Sequence, residues 1–351
     1  MKKQVVIFAF CALCCGLLVL YSDPALEAAR QGFYLWRDAV LPALLPFFIC
    51  AHIMQNCGAI SMQNPLFLYS VSMVSGAPTG ARLAGSLEED HTPAVAALNA
   101  VSPMFIAGSF AGSIIGVPQL AWPILIAQLV SAGVFFLLAK PAAGPALPRP
   151  NPPSFFRLLR EAMAAGVAAM LSIGGAMLFF MAFMALLQET GLLSLLTAPL
   201  VQLLAKVSLP KQFPSLLLTG MLEMVAGCKA LGEAGLSLRQ TAALAAFFFS
   251  FGGICILVQS LAFARIRLGQ YLGRKLLQGC LSALLAYFLC PLFLPDAQAV
   301  GGRRFPFGRQ LFAAAFRLAG PDQRQTATRK LCLVRLPRSK KWGLQTGFLF
   351  L

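Results

Sequence analysis

The sequence has few charged residues and almost no histidine. Charged residues make up 11% of the chain, against about a quarter in a soluble domain, while 58% of its 351 residues are hydrophobic. A single core cannot bury this much apolar surface, which excludes an ordinary soluble protein. The two histidines and the ten scattered cysteines form no metal-ligand pattern. With no nucleophile–base pattern either, we expect no metal, no cofactor and no enzymatic activity.

Long apolar runs indicate helices that span a membrane. They are Val5–Leu20, Ala39–Met54, Leu120–Ala139, Ala162–Leu187, Thr241–Phe263 and Leu276–Leu294. Most approach the roughly 20 residues that a helix needs to cross a bilayer, and a helix pairs its own backbone groups in hydrocarbon. The sequence therefore predicts an all-α polytopic protein, integral to the cell membrane.

The net charge of +16 is concentrated near the end of the sequence. Residues 301–351 hold 11 of the 28 Lys and Arg residues and a single acid, Asp322. A basic segment beside membrane spans is more typical of the cytoplasmic face or of contact with anionic lipid than of nucleic-acid binding. We expect the lipid bilayer to be a partner and nucleic acid not to be one.

Composition divides the chain into five parts. We predict an N-terminal transmembrane helix and loop at 1–37, a first repeat at 38–139, a proline-rich linker with an amphipathic lead-in at 140–161, a second repeat at 162–295 and a disordered basic tail at 296–351. The start fits either a signal peptide or an uncleaved helix. Its apolar core of about 16 residues is slightly long for a signal peptide, which favours the uncleaved helix.

The two halves follow the same order of elements: one full span and then two polar, glycine-containing interruptions. MVSG at 73–76 corresponds to MVAG at 224–227, an offset of 151 residues. Lys2 and Lys3 place the N-terminus on the cytoplasmic side, and Arg157 with Arg160 place the linker there too, so the halves are predicted to be inverted. Interrupted apolar segments at corresponding positions point to a transporter-like site near the bilayer midplane.

The most unusual interruption is Ser75–Arg82, SGAPTGAR. Pro78 lacks an amide donor, and Gly76 and Gly80 loosen the backbone. Irregular backbone is tolerated in a bilayer only when it is buried in protein or lines a wet cavity. A small-residue packing face and a loop at the interface remain alternatives, although packing alone does not explain the proline, the threonine and the arginine together.

A second interruption, ALNAVSPMF, follows in the first half. Asn99, Ser102 and Pro103 stand in an otherwise apolar stretch. Because an asparagine amide both donates and accepts, its side chain suits an interhelical hydrogen bond and contact with a solute equally well. Both interpretations remain open.

The second half has its own pair of polar positions. Glu223 has apolar neighbours on both sides, so its carboxyl must be paired, protonated or close to water, and Lys229 and Arg82 are candidate partners. A structural ion pair and a role in binding or coupling are both open. Further on, Gly252–Gly253 predicts a helix break, with the amide of Gln259 on the same element; a flexible kink is the alternative.

These blocks resemble the sporulation integral membrane proteins of the YlbJ type, in the nucleoside-recognition (Gate) domain superfamily. The resemblance is carried by SGAPTGARLAGSL at 75–87, NAVSPMFIAG at 99–108, Glu223 with Gly227, and FGGICILVQ at 251–259. Ala77, Ala100 and Cys255 depart from the family pattern. The resemblance implies two Gate-like repeats with broken or re-entrant helices, a role in endospore formation in the membranes around the forespore, and handling of a nucleoside or another small solute.

We therefore predict a transporter- or permease-like sporulation protein for a nucleoside-like or other small polar or anionic solute. The predicted binding residues are Ser75, Thr79, Arg82, Asn99, Ser102, Glu223 and Gln259, and the predicted helix breaks are Gly76, Pro78, Gly80, Pro103, Gly252 and Gly253. Arg82 would attract the solute, and Glu223 would carry a proton or pair with a cation. Further partners would be copies of the chain or other sporulation membrane proteins. The alternative is a non-transporting scaffold for assembly of the spore cortex or coat.

Overall fold

The structure is a computed structural model that describes residues 2–57, 64–77, 79–84, 92–140, 154–204, 212–261 and 263–294. Within these ranges the regular structure is helical and contains no strand. Pro78, linker residues 141–153, the tail at 296–351 and the side chain of Arg82 lie outside the description. The predictions that concern them stay predictions.

Fourteen α-helices are present in the described residues. They are α1 (Lys2–Leu20), α2 (Ser22–Leu35), α3 (Leu41–Asn56), α4 (Pro65–Ser75), α5 (Thr79–Ala84), α6 (Thr92–Leu98), α7 (Ala121–Ala139), α8 (Phe155–Glu189), α9 (Leu192–Leu204), α10 (Phe213–Leu222), α11 (Met224–Glu233), α12 (Leu238–Phe251), α13 (Gly253–Leu261) and α14 (Leu268–Phe293). Two π-helices, Trp36–Val40 and Phe105–Ile115, and a 3₁₀ turn at Pro118–Leu120 complete the set.

Five helical stretches are long and apolar enough to cross a membrane. They are Ser22–Asn56, Pro118–Ala139, Phe155–Glu189, Leu238–Leu261 and Leu268–Phe293. They contain five of the six predicted apolar runs almost completely, and the remaining run forms most of α1. The prediction of an all-α polytopic membrane protein is confirmed. Residues 155–161, assigned from the sequence to the lead-in, are the first turns of α8.

The outer faces of these helices are apolar. Leu137, Phe156 and Leu292 keep 75%, 81% and 75% of their surface exposed. Exposing such side chains to water would cost roughly 25 cal/mol for each Å² of apolar surface, whereas lipid tails cover them without this cost. The arrangement is that of a protein whose outer surface faces hydrocarbon.

Small residues let the long helix α8 pack closely against the stretch Ser22–Asn56. At Gly166 a Cβ atom would meet Ile49 at 3.2 Å, and at Gly174 it would meet the indole of Trp36 at 2.8 Å. The Trp36 indole N–H also donates to the carbonyl of Met170, with 3.0 Å between nitrogen and oxygen. Close helix approach at glycine, together with an interhelical hydrogen bond, is the usual means of association in a membrane.

The centre of the molecule is formed by α12, with α7 and α14 packed against it. Most residues of α12 are buried, as expected since the helix is entirely apolar from Ala242 to Phe249. Gly279 of α14 lies against the ring of Phe247, where a Cβ would approach to 2.9 Å. Phe248 and Phe249 are fully buried in the same core.

Four helical segments are interrupted, two in each half of the chain. In the first half α4 ends at Gly76 before α5, and α6 ends before the unwound residues 99–102. In the second half Glu223 separates α10 from α11, and Gly252 separates α12 from α13. The order matches the order of the polar blocks in the sequence, while the division into two inverted repeats stays a prediction.

Gly80, the second residue of α5, provides a stability test of the first interruption. A Cβ there would lie 2.1 Å from the carbonyl oxygen of Leu98, a backbone atom that cannot move aside cheaply. We expect Gly80→Ala to destabilise the protein by about 1–3 kcal/mol, as overpacking does. A lower melting temperature in detergent would show this.

The matched control is Gly175→Ala on α8, where a Cβ would have no neighbour within 4 Å. This substitution should leave the melting temperature unchanged or raise it. Equal melting temperatures for the two variants would contradict the close approach of α5 to the end of α6.

Candidate functional site

The four interruptions meet around one cavity of about 60 Å³, which has room for several water molecules. Three interruptions contribute side chains to its wall directly, and α13, which follows the fourth, contributes Cys255, Ile256 and Gln259. The lining consists of Val40, Leu44, Ala77, Val101, Ser102, Phe105, Ile173, Met177, Glu223, Met224, Val225, Cys255, Ile256 and Gln259. We refer to this space as the central cavity.

The first-half wall is built by direct contact between the two interruptions of that half. Gly76 has a positive φ of 74°, and a Cβ on it would lie 2.6 Å from the backbone nitrogen of Ser102. One residue later the amide of Ala77 donates to the carbonyl of Ala100 at 2.6 Å. This contact holds Ser102 at the cavity wall, where its hydroxyl oxygen accepts the amide of Phe105 at 3.3 Å.

Glu223 forms the second-half wall and is 2% exposed. It has an extended backbone and caps α11, since its carboxylate accepts the amide N–H of Ala226. Such a cap satisfies amides that the first turn of a helix leaves without partners, and it places a negative charge at the positive end of the helix dipole. Within the described residues, no ion pair involves this carboxylate.

Cys255 and Gln259 reach the cavity from α13. The turn between α12 and α13 is made by Gly252 and Gly253. Their φ angles of 88° and 75° are ones that residues with a Cβ rarely adopt. The Gln259 amide nitrogen lies 3.5 Å from the sulfur of Cys255, one helical turn away. The turn therefore directs a thiol and an amide toward Glu223 and Ser102.

The rest of the wall is apolar and comes from the two long membrane stretches. Val40 and Leu44 belong to Ser22–Asn56, and Ile173 and Met177 belong to α8. A few polar groups facing an apolar wall is the usual composition of a small-molecule site.

Three of the seven predicted binding residues line the central cavity: Ser102, Glu223 and Gln259. The structure places three others elsewhere. Ser75 accepts a hydrogen bond from the Gln55 amide at 2.6 Å, Thr79 begins α5, and Asn99 contacts α13 and α14. These three are buried but are not part of the lining. The seventh, Arg82, has its side chain outside the description.

Lys229, one of the two candidate partners of Glu223, has a different contact. Its ammonium donates to the side-chain oxygen of Gln31 on α2, with 2.5 Å between the two atoms. Lys229 thus connects α11 to α2 instead of pairing with the carboxylate of Glu223.

A buried polar cluster near Asn99 was not predicted from the sequence. The side-chain amide of Asn99 donates to the hydroxyls of Ser260 and Tyr271, each at 2.7 Å. The ammonium of Lys275 donates to the backbone carbonyl of Asn99 at 2.9 Å. A signal was present in the sequence: Tyr271, Lys275 and Gln278 are spaced by four and three residues and so share one face of α14.

Enlarging the side chain of Ala77 tests whether the cavity is real. Ala77→Leu should project into open space and change the melting temperature little. Ala100→Leu, in the fully buried segment next to it, should overpack the core and cost about 1–3 kcal/mol. Thermal unfolding in detergent compares the two variants. A larger loss for Ala77→Leu than for Ala100→Leu would contradict the cavity.

Comparison with known proteins agrees with this architecture. The chain is 25% identical, over 339 aligned positions, to the sporulation integral membrane protein YlbJ of Bacillus subtilis (strain 168), covering 82% of this chain and 83% of the relative. No family model matches the chain. The predicted resemblance to YlbJ is thereby confirmed, and the relative, itself a sporulation integral membrane protein, agrees with the membrane-spanning helices of this chain.

A solved structure has a similar fold. It is that of a CNTnw variant in the intermediate 1 state, which aligns with a TM-score of 0.50 over 83% of this chain and 85% of that chain. The sequence identity between the two is 16%, so the likeness concerns the fold alone.

Proposed function

We propose that this YlbJ-type protein is a permease-like carrier that acts in endospore formation and binds a small polar solute in the central cavity. The observation that carries the proposal is the meeting of four interrupted helical segments around one space that holds a carboxylate, a hydroxyl and an amide. Broken helices that meet at such a site are the usual construction of secondary transporters. An arrangement made only for packing would bring small apolar residues together instead.

The polar groups of the cavity suit a solute with hydroxyl or amino groups. The Glu223 carboxylate accepts backbone N–H groups at the start of α11, and a carboxylate has about four lone-pair sites in all, so it can also accept solute donors. The Ser102 hydroxyl accepts one backbone amide, and a hydroxyl also has a proton to donate to a solute. Gln259 adds a carbonyl acceptor. With the apolar wall of Ile173 and Met177, this chemistry fits a nucleoside-like molecule or another small molecule with a polar and an apolar part.

The helix ends contribute to the electrostatics of the same space. The first residues of α11, Met224 and Val225, line the cavity, and α13 begins two residues before Cys255. Helix N-termini carry partial positive charge and favour electron-rich solute atoms. Attraction of an anionic solute by Arg82 remains part of the proposal, as does a proton-linked role for Glu223.

We propose a carrier and not an enzyme. Cys255 is a nucleophile in the cavity lining, but the lining residues that accompany it include no histidine to act as its base. We also propose that the protein works in the membranes around the forespore, with copies of itself or other sporulation membrane proteins as partners.

The test is uptake into proteoliposomes that contain the purified chain, with nucleosides and small organic acids as the first labelled solutes. We expect saturable uptake of one class. Glu223→Gln, which removes the charge, and Ala77→Leu, which fills the cavity, should each reduce uptake at least tenfold at equal protein abundance. The matched control is Glu189→Gln on the exposed end of α8, which should transport like the wild type.

The same variants separate the carrier from a scaffold. They are expressed in Bacillus subtilis that lacks YlbJ, and spore yield is measured beside membrane abundance. Loss of spores at normal abundance for Glu223→Gln and Ala77→Leu supports the cavity as the working site. Normal spore yield with both variants would contradict the carrier and favour a scaffold for cortex or coat assembly.

A further inference from the structure

Lys275 is the most unusual buried residue outside the central cavity. It lies in the apolar helix α14 and has no exposed surface. A charged group costs several kcal/mol in such a position unless it is paired, which makes an intramembrane lysine a candidate functional residue. Its hydrogen bond is to the backbone of Asn99, a predicted site residue that does not line the central cavity.

The surroundings of Lys275 contain no acidic side chain among the described residues. The elements packed against α14 include α6, α7, α12 and the 3₁₀ turn Pro118–Leu120, and their sequences include no Asp or Glu. The charged groups on these elements and on α14 itself are cationic: Arg239 on α12 and Arg274 on α14. Among the described residues, no ion pair neutralises the ammonium.

What the ammonium does contact is unwound backbone. Its nitrogen lies 2.9 Å from the carbonyl oxygen of Asn99, the residue that follows the last turn of α6. The C-terminal end of a helix carries partial negative charge and attracts cations. In carriers with broken helices, unwound carbonyls and helix C-terminal ends hold the bound sodium ion or proton.

Other oxygen atoms lie around the side chain of Asn99, the residue whose backbone carbonyl the ammonium contacts. The side-chain oxygen of Asn99 is buried and has no hydrogen-bond donor in the described residues, while the hydroxyls of Ser260 and Tyr271 lie 2.7 Å from the Asn99 amide nitrogen. Hydroxyl, amide and backbone oxygens are the ligands that hard cations prefer. Lys275 thus donates to the carbonyl of a residue whose side chain lies among oxygen ligands of this kind.

The site also lies next to residues of the central cavity. Asn99 is three residues before Ser102, and Ser260 follows Gln259 directly. A cation bound to the carbonyl of Asn99 therefore helps to hold in place the two segments that carry Ser102 and Gln259.

We propose that the ammonium of Lys275 is a resident cation that occupies a monovalent-cation site at the unwound end of α6, so that the wild-type protein holds its cavity wall without a bound alkali ion. Lys275 is thus a positioning residue that acts through Asn99. The inference concerns the support of the proposed carrier site, but its test involves no solute, so failure of uptake would leave it standing.

The experiment compares thermal unfolding of the purified full chain in sodium, lithium, potassium and choline chloride at one ionic strength. The wild type should unfold at the same temperature in all four salts. Lys275→Ala vacates the site and should unfold at a lower temperature in choline chloride. Sodium or lithium should restore at least half of this loss, because the small ions can reach the freed oxygens.

Lys275→Met is the matched control, since its side chain fills the same space without a charge. It should show no selective response to any of the four cations. If Lys275→Ala does not yield folded protein, Lys275→Ser, which also vacates the site, is judged by the same criteria.

Three results would overturn the proposal: selective stabilisation of the wild type by sodium or lithium, a folded Lys275→Ala or Lys275→Ser protein that responds equally to all cations, or equal recovery of Lys275→Met. Recovery confined to the variants that vacate the site supports it.

Discussion

The carbonyl groups of the unwound residues 99–101 set the constraint on which the rest of the structure depends. A different part of the protein donates a hydrogen bond to each carbonyl. The ammonium of Lys275 on α14 donates to Asn99, the backbone amide of Ala77 donates to Ala100, and the side-chain amide of Gln128 on α7 donates to Val101. In hydrocarbon an unpaired backbone group costs several kcal/mol, and water is not available to replace these donors. The unwound segment is therefore possible only where three other parts of the protein surround it.

The same constraint accounts for the position of the cavity. Each interruption must be enclosed by protein because its backbone groups need hydrogen-bond partners. The interruptions therefore lie close together. Gly76 touches Ser102, and Gly227 approaches so closely that a Cβ on it would lie 2.4 Å from the Cα of Gly220. Where four such segments meet, irregular backbone leaves a space that regular helices would fill with side chains. Ser102, Glu223 and Gln259 face this space, so the architecture and the proposed binding site have one cause.

The sequence predicts the fold better than it predicts the site. The apolar runs identify the helices because lipid imposes a length and a composition that are visible locally. Ser102, Glu223 and Gln259, which line the cavity, stand out in the sequence because a polar residue in an apolar stretch is visible locally, and their role in binding stays a prediction. The contacts of Asn99 were not predictable, because its partners Ser260 and Tyr271 are 161 and 172 residues away and no local pattern indicates which helix will face it. Lys275 was not predicted because, next to Arg274, it resembles one of the charged residues that flank a membrane span. Its spacing from Tyr271 and Gln278 is the sequence feature that indicates a buried polar face.

The central claim is that interruptions from the two halves face each other across one cavity inside the membrane. It is tested most directly by cross-linking Ala77→Cys to the native Cys255, in a chain whose other cysteines are replaced, with a short bifunctional thiol reagent in membranes. We predict an intramolecular cross-link that disappears when Cys255 is changed to Ala. Reaction of both thiols with monofunctional reagents, but with no cross-link between them, would contradict the account.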